Sequence, residues 1–103
     1  MTDGQDRAWA ELAGTYVIDA PRDAAATSIL PGSAIDTAEV WGRAAPLVVE
    51  IGSGQGHAII HASRENPETD FLAVEVFRAG LARTMLDAER EGLTNLRLVE
   101  ANA

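Results

Sequence analysis

The chain has 103 residues, 47% of them hydrophobic, which is enough for one small packed domain and too little for two. Eight Lys and Arg against sixteen Asp and Glu give a net charge of −8, which argues against a nucleic-acid or anionic-membrane binder that relies on a basic surface of its own. Having no cysteine, the chain has no disulfide, thiolate metal site or cysteine nucleophile, as suits a reducing cytoplasm, and no apolar run approaches the roughly 20 residues of a membrane-spanning helix.

From Met1 to Arg7 there are two aspartates and one arginine with no apolar stretch after them, so this start does not read as a secretory signal. Gln5 to Ala13 places Ala8, Trp9 and Leu12 at helical offsets, and Thr2 and Gln5 have the spacing of a capping box, in which each side chain satisfies the other's backbone N–H. Ala20 to Ser33, with Pro21, three alanines from Ala24 and Pro31-Gly32, reads as a loop or linker. Composition changes at Pro46, dividing an arm with loops and short helices (1–45) from a segment with the readable fold (46–103). Trp41-Gly42-Arg43 is placed to close over the first strand of that fold.

Leu47 to Ile51 is a short β-branched run that stops at glycines, as a buried parallel strand does at its carboxyl end. His57 to Glu65 suits a helix that Asn66-Pro67 ends, because a residue before proline is pushed out of helical torsions. Asp70 to Val76 is a second buried strand. Leu81, Ala82, Met85 and Leu86 form one helical stripe, closed by the left-handed residue Gly92 with Leu93 supplying a hydrophobic contact. Leu96 to Val99 is a third strand. This order opens a doubly wound α/β sheet with helices on both faces; a complete sheet of that kind has about six strands, so three suggest a truncated one.

Glu50-Ile51-Gly52-Ser53-Gly54-Gln55-Gly56 carries the strongest functional signal. Three alternate glycines between a strand and a helix let the backbone approach a ligand closely. The pattern departs from the Gly-x-Gly-x-x-Gly of pyrophosphate binders. Glu75 lies 19 residues beyond Gly56, at the end of the second strand, where a carboxylate can accept from ribose hydroxyls. Glu50 would repel a pyrophosphate, yet it can accept from an ammonium group or sit near a sulfonium; S-adenosylmethionine carries both.

These residues bring the chain to a known family. In Met1-Thr2-Asp3-Gly4-Gln5 with Arg7-Ala8, Trp41 to Pro46, Glu50 to Gly56, Asn66-Pro67, Phe71 to Val76, Gly80-Leu81-Ala82-Arg83 and Glu91-Gly92-Leu93-Thr94-Asn95-Leu96-Arg97, it resembles the bacterial tRNA (guanine-N7-)-methyltransferases. The resemblance implies a Rossmann-like class I methyltransferase fold and S-adenosylmethionine as cofactor. Its methionine part would be held by Glu50, Gly52, Ser53, Gly54, Gln55 and Gly56, its ribose by Glu75 beside Val76, and its adenine by Asn102 and Ala103. At the adenine position relatives often have Asp where this chain has Asn102, whose amide can still donate and accept. The family's Asp-Pro-Trp segment and basic run lie beyond Ala103, so no catalytic residue is assigned here. The chain alone is expected to bind cofactor weakly at best and to methylate nothing, with most of the tRNA surface in the other half.

Guanine N7 has an available lone pair and needs no deprotonation, so such a fold must mainly align the nucleophile with the methyl–sulfur bond and exclude water. No metal is implied: His57 and His61 share a helix face without the acidic or cysteine partners of a zinc helix. Trp9, Trp41 and Phe71 read as packing residues, Arg78 and Arg83 as solvated, with Arg83 and Asp87 at ion-pair spacing, and a tRNA contact by Arg43 is the lesser reading. Two rival readings are a nicotinamide- or flavin-binding module, and a non-catalytic interaction domain that pairs through an open sheet edge.

Overall fold

The computed structural model describes residues 1–18 and 37–101, so the linker expected over Ala20 to Ser33 lies outside the described residues. The elements are α1 (Asp3–Tyr16), α2 (Thr37–Trp41), β1 (Leu47–Ile51), α3 (His57–Glu65), β2 (Asp70–Glu75), α4 (Arg78–Arg90) and β3 (Leu96–Glu100). The strands form one parallel sheet in the order β1-β2-β3, with Val48 opposite Phe71 and Phe71 opposite Leu96. This is the α/β, Rossmann-like arrangement expected from the sequence.

The helix boundaries follow from local chemistry. At the start of α1 the Thr2 hydroxyl accepts from the Gln5 N–H at 3.1 Å and the Gln5 side chain accepts from the Thr2 N–H at 3.0 Å, so the capping box is complete. This helix runs three residues past Ala13, because Ala8 and Tyr16 are both buried on its inner face. α4 ends as the sequence indicates: Gly92 has φ 66°, its N–H donates to the Glu89 carbonyl at 3.0 Å, and the Leu93 N–H donates to the Ala88 carbonyl at 2.9 Å. Together these two bonds form the Schellman closure, with Leu93 buried beneath it.

Burial sorts the strands by their neighbours. β2, flanked on both edges, is buried throughout. β1 was expected to be equally buried, but Val48 is 46% exposed and Ile51 62%, because among the described residues no strand pairs with its outer edge. β2 also stops at Glu75 rather than Val76. The Glu75 carboxylate accepts the Val76 and Phe77 N–H groups at 2.8 Å each, turning the chain out of the ladder and leaving both side chains exposed.

One sheet face carries Phe71, Ala73, Leu96 and Leu98 against Ala8 of α1, Ile59 and Ile60 of α3, and Leu81 and Met85 of α4. Both crossover helices, α3 and α4, therefore share a face, where the sequence suggested helices on both. The strand order explains this: successive crossovers of one hand that advance in one direction stack their helices on the same side. On the other face Leu72, Val74 and Val99 pack with Trp41 of α2, flanked by Val40 and Ile18. The Trp41 indole N–H donates to the Asn95 carbonyl at 3.2 Å, so this residue covers the strand beyond β2 as well as β1.

At the amino-terminal end of the sheet, the Asn95 amide nitrogen donates to the carbonyls of Ser63, Asn66 and Thr69 at 2.9–3.0 Å. One buried side chain thus ties the end of α3 to the turn before β2 and the start of β3, and the Phe71 N–H closes the arrangement onto the Asn95 carbonyl. Beside it Arg43 donates to the buried Asp70 carboxylate at 2.7 Å and to the Pro67 carbonyl at 2.8 Å. These partners give Arg43 a structural role at the end of the sheet away from the glycine loop.

Candidate cofactor site

The carboxyl ends of β1 and β2 place Glu50, the glycine loop and Glu75 together. Gly52, Gly54 and Gly56 have φ of 75°, 61° and 86°, the left-handed region that side chains with a Cβ avoid. The loop is anchored at both ends: the Gly52 N–H donates to the Val74 carbonyl at 2.8 Å and the Gly56 N–H to the Ser53 carbonyl at 3.0 Å.

The three glycines do different things. Above Gly52 and Gly54 a Cβ would meet only open space, so there the backbone is available to a ligand. At Gly56 a Cβ would overlap the Thr84 side chain of α4. Left-handed torsion alone calls for the first two, whereas helix packing also requires the third, a distinction the sequence pattern alone did not draw.

Gly56 is also the N-cap of α3, and no side chain among the described residues caps that helix. Its first free N–H groups therefore point out of the helix beside the loop, where the helix dipole favours a carboxylate. The Ser53 hydroxyl is shielded from solvent and has no hydrogen-bond partner among the described residues. Such a group gains stability when a ligand supplies the missing bond.

The two acids differ in occupancy. Glu50 is half-buried on the helix-covered side of β1, in register with Ala73, and takes no hydrogen bond or ion pair from the described residues. Glu75 is 8% exposed and already engaged: Oε1 accepts the Gly54 N–H at 2.5 Å and Oε2 accepts those of Val76 and Phe77. Burial alone would raise its pKa, but the N–H groups of Phe77, Gly54 and Val76 outweigh that effect and hold it below the ordinary glutamate value. A carboxylate offers about four lone-pair sites. With three in use, Glu75 has room for roughly one ribose hydroxyl rather than two.

Of the other residues singled out in the sequence, Gln55 is exposed on the loop, Val76 is exposed at the end of β2, and Asn102 and Ala103 lie outside the described residues. His57 and His61 are exposed on α3, with His61 Nδ1 2.9 Å from the Arg64 guanidinium. Arg78 is exposed, as the sequence reading has it, and it is also engaged: its guanidinium lies 3.7 Å from the Trp9 ring centre and pairs with Glu100 at 2.9 Å, while the Trp9 indole N–H donates to the Arg78 carbonyl. Arg83 does pair with Asp87, at 3.2 Å. Gly80 and Thr84, which contact the loop from α4, were missed; the available signal was an isolated glycine inside a helical pattern.

Comparison with known proteins agrees with this geometry. A family profile described as "Putative methyltransferase" matches residues 44–103, the stretch that contains the whole sheet and its glycine loop. The chain belongs to that methyltransferase family. Along nearly its whole length it is also similar to proteins named tRNA (guanine-N(7)-)-methyltransferase. It is 53% identical to that of Paenarthrobacter aurescens over 93% of this chain, 48% to that of an Arthrobacter species over 96%, and 44% to that of Cutibacterium acnes over 100%. The chain spans about a third of the length of these relatives, 31–37%. Among its described residues no helix is long and apolar enough to cross a membrane.

Proposed function

We propose that this chain is the S-adenosylmethionine-binding part of a cytoplasmic enzyme that methylates guanine N7 in tRNA. The observation that carries the reading is the open backbone at Gly52 and Gly54, both left-handed, set between Glu50, a carboxylate unengaged among the described residues, and an engaged one, Glu75. The donors and acceptors fit the cofactor. Glu50 suits its ammonium group, the uncapped start of α3 and the free Ser53 hydroxyl suit its carboxylate, and the remaining lone pair of Glu75 suits one ribose hydroxyl. When bound, the cofactor supplies an electrophilic methyl on a sulfonium.

Against this ligand set a dinucleotide fits poorly, since Glu50 stands beside the glycines where a pyrophosphate would lie. The relatives' names support tRNA as the substrate and guanine N7 as the acceptor. With a net charge of −8, this chain needs a cationic surface from outside its own 103 residues to hold RNA.

The test is methyl transfer by a full-length protein that carries this segment, read as N7-methylguanosine in digested tRNA. Glu50→Ala is expected to abolish the product mainly through a raised KM for the cofactor. Methylation at another atom, or undiminished transfer by Glu50→Ala, would contradict the proposal.

A further inference from the structure

Gly80 occupies the first turn of α4, where alanine is the better helix former and a glycine needs a reason. Its torsions do not supply one, because its φ is not positive. Space does. A Cβ on Gly80 would overlap the Gly54 carbonyl oxygen and come within 2.9 Å of the Gly54 carbonyl carbon and of Phe77 Cδ2. One turn later Thr84 is fully buried; its hydroxyl donates to the Gly80 carbonyl at 2.8 Å, and its side chain fills the space a Cβ on Gly56 would need. Gly54 is thus held on two sides, its N–H by the Glu75 carboxylate and its carbonyl against the bare Cα of Gly80.

We propose that Gly80 and Thr84 are positioning residues for the ligand loop: α4 sets Gly54 and Gly56 from beneath so that the open backbone of Gly52 to Gly54 faces the cofactor. The consequence for binding rests on the cofactor reading above, whereas the setting of the loop does not. A loop supported in this way is arranged before the ligand arrives, which lowers the ordering cost of binding. The geometry also links the end of β2 with α4, since Glu75 and Gly80 meet the two peptide groups that flank the Gly54 Cα.

The test is a nuclear magnetic resonance comparison of wild type with Gly80→Ala, Thr84→Ala and Thr84→Val, following the amides of residues 52–56 and the titration of Glu75 through the Gly54 amide. S-adenosylhomocysteine is the binding probe. Gly80→Ala is expected to keep the helical signal of α4, shift the loop amides, and move the Glu75 titration up toward the ordinary glutamate range. Its affinity for the probe should fall about tenfold or more, since small misplacements of binding groups have large effects. Thr84→Ala should act in the same direction and Thr84→Val, which keeps the shape under Gly56, should resemble wild type; these two decide the matter if Gly80→Ala does not fold.

Unchanged loop amides and an unchanged Glu75 titration in Gly80→Ala would overturn the proposal. A purely structural role would instead give a more stable helix with an undisturbed loop. If the loop responds but a full-length protein carrying this segment ignores the probe, the cofactor reading fails and the positioning role stands.

Discussion

A single carboxylate, Glu75, does more than the sequence assigns to it. Read from spacing, it is a ribose acceptor; in the structure it also ends β2 and holds the glycine loop through the Gly54 N–H. The three backbone donors were not legible in the sequence, because they depend on the chain turning back over its own strand end. A pH dependence follows. The folded pKa of Glu75 lies below its ordinary value of 4.5, so its contribution to stability is complete above that value and is lost as pH falls through the folded pKa. Urea melts from pH 7 toward 3 should show wild type losing its advantage over Glu75→Gln in the acid range. A difference between the two that stays constant with pH would contradict this account.

The elements were legible wherever one local rule decided them. The Thr2–Gln5 capping box, the Asn66-Pro67 stop and the Gly92–Leu93 closure each rest on residues a few positions apart, and each is in place. Burial was less legible, because it depends on neighbours remote in sequence: Leu47 to Ile51 looks like an interior strand but is half-exposed beside an unpaired edge. Asn95 is a second such case, since its three carbonyl partners lie 26–32 residues away. The helix closure can be tested alone. At Gly92 a Cβ would have free space around it, so Gly92→Ala charges only the left-handed torsion and should lower stability by about 1–2 kcal/mol by chemical denaturation. No loss, or a gain, would show that the closure does not hold α4.

At the scale of the whole molecule, α1, α3 and α4 cover one sheet face, Trp41 of α2 packs on the other, and the glycine loop tops the carboxyl ends of the strands, where open α/β sheets bind ligands. The acidic charge and the unpaired edge of β1 belong together with the chain's span of about a third of its relatives' length. On the proposed function, the cationic surface that holds RNA comes from outside these 103 residues. The same edge is the feature from which the interaction-domain reading drew its force. The loop favours the proposed cofactor reading, because a docking edge does not need left-handed backbone with open space above it.

The central claim is that Glu50, the glycine loop and Glu75 form an S-adenosylmethionine site. Its most direct test is a titration of this chain with S-adenosylmethionine, S-adenosylhomocysteine and NAD in turn, followed at the amides of Gly52, Gly54 and Gly56. The account predicts weak, saturable shifts with the two sulfur compounds, none with NAD, and their loss in Glu50→Ala. Shifts with NAD, shifts that survive Glu50→Ala, or a full-length protein carrying this segment whose loop amides respond to none of the three, would contradict it.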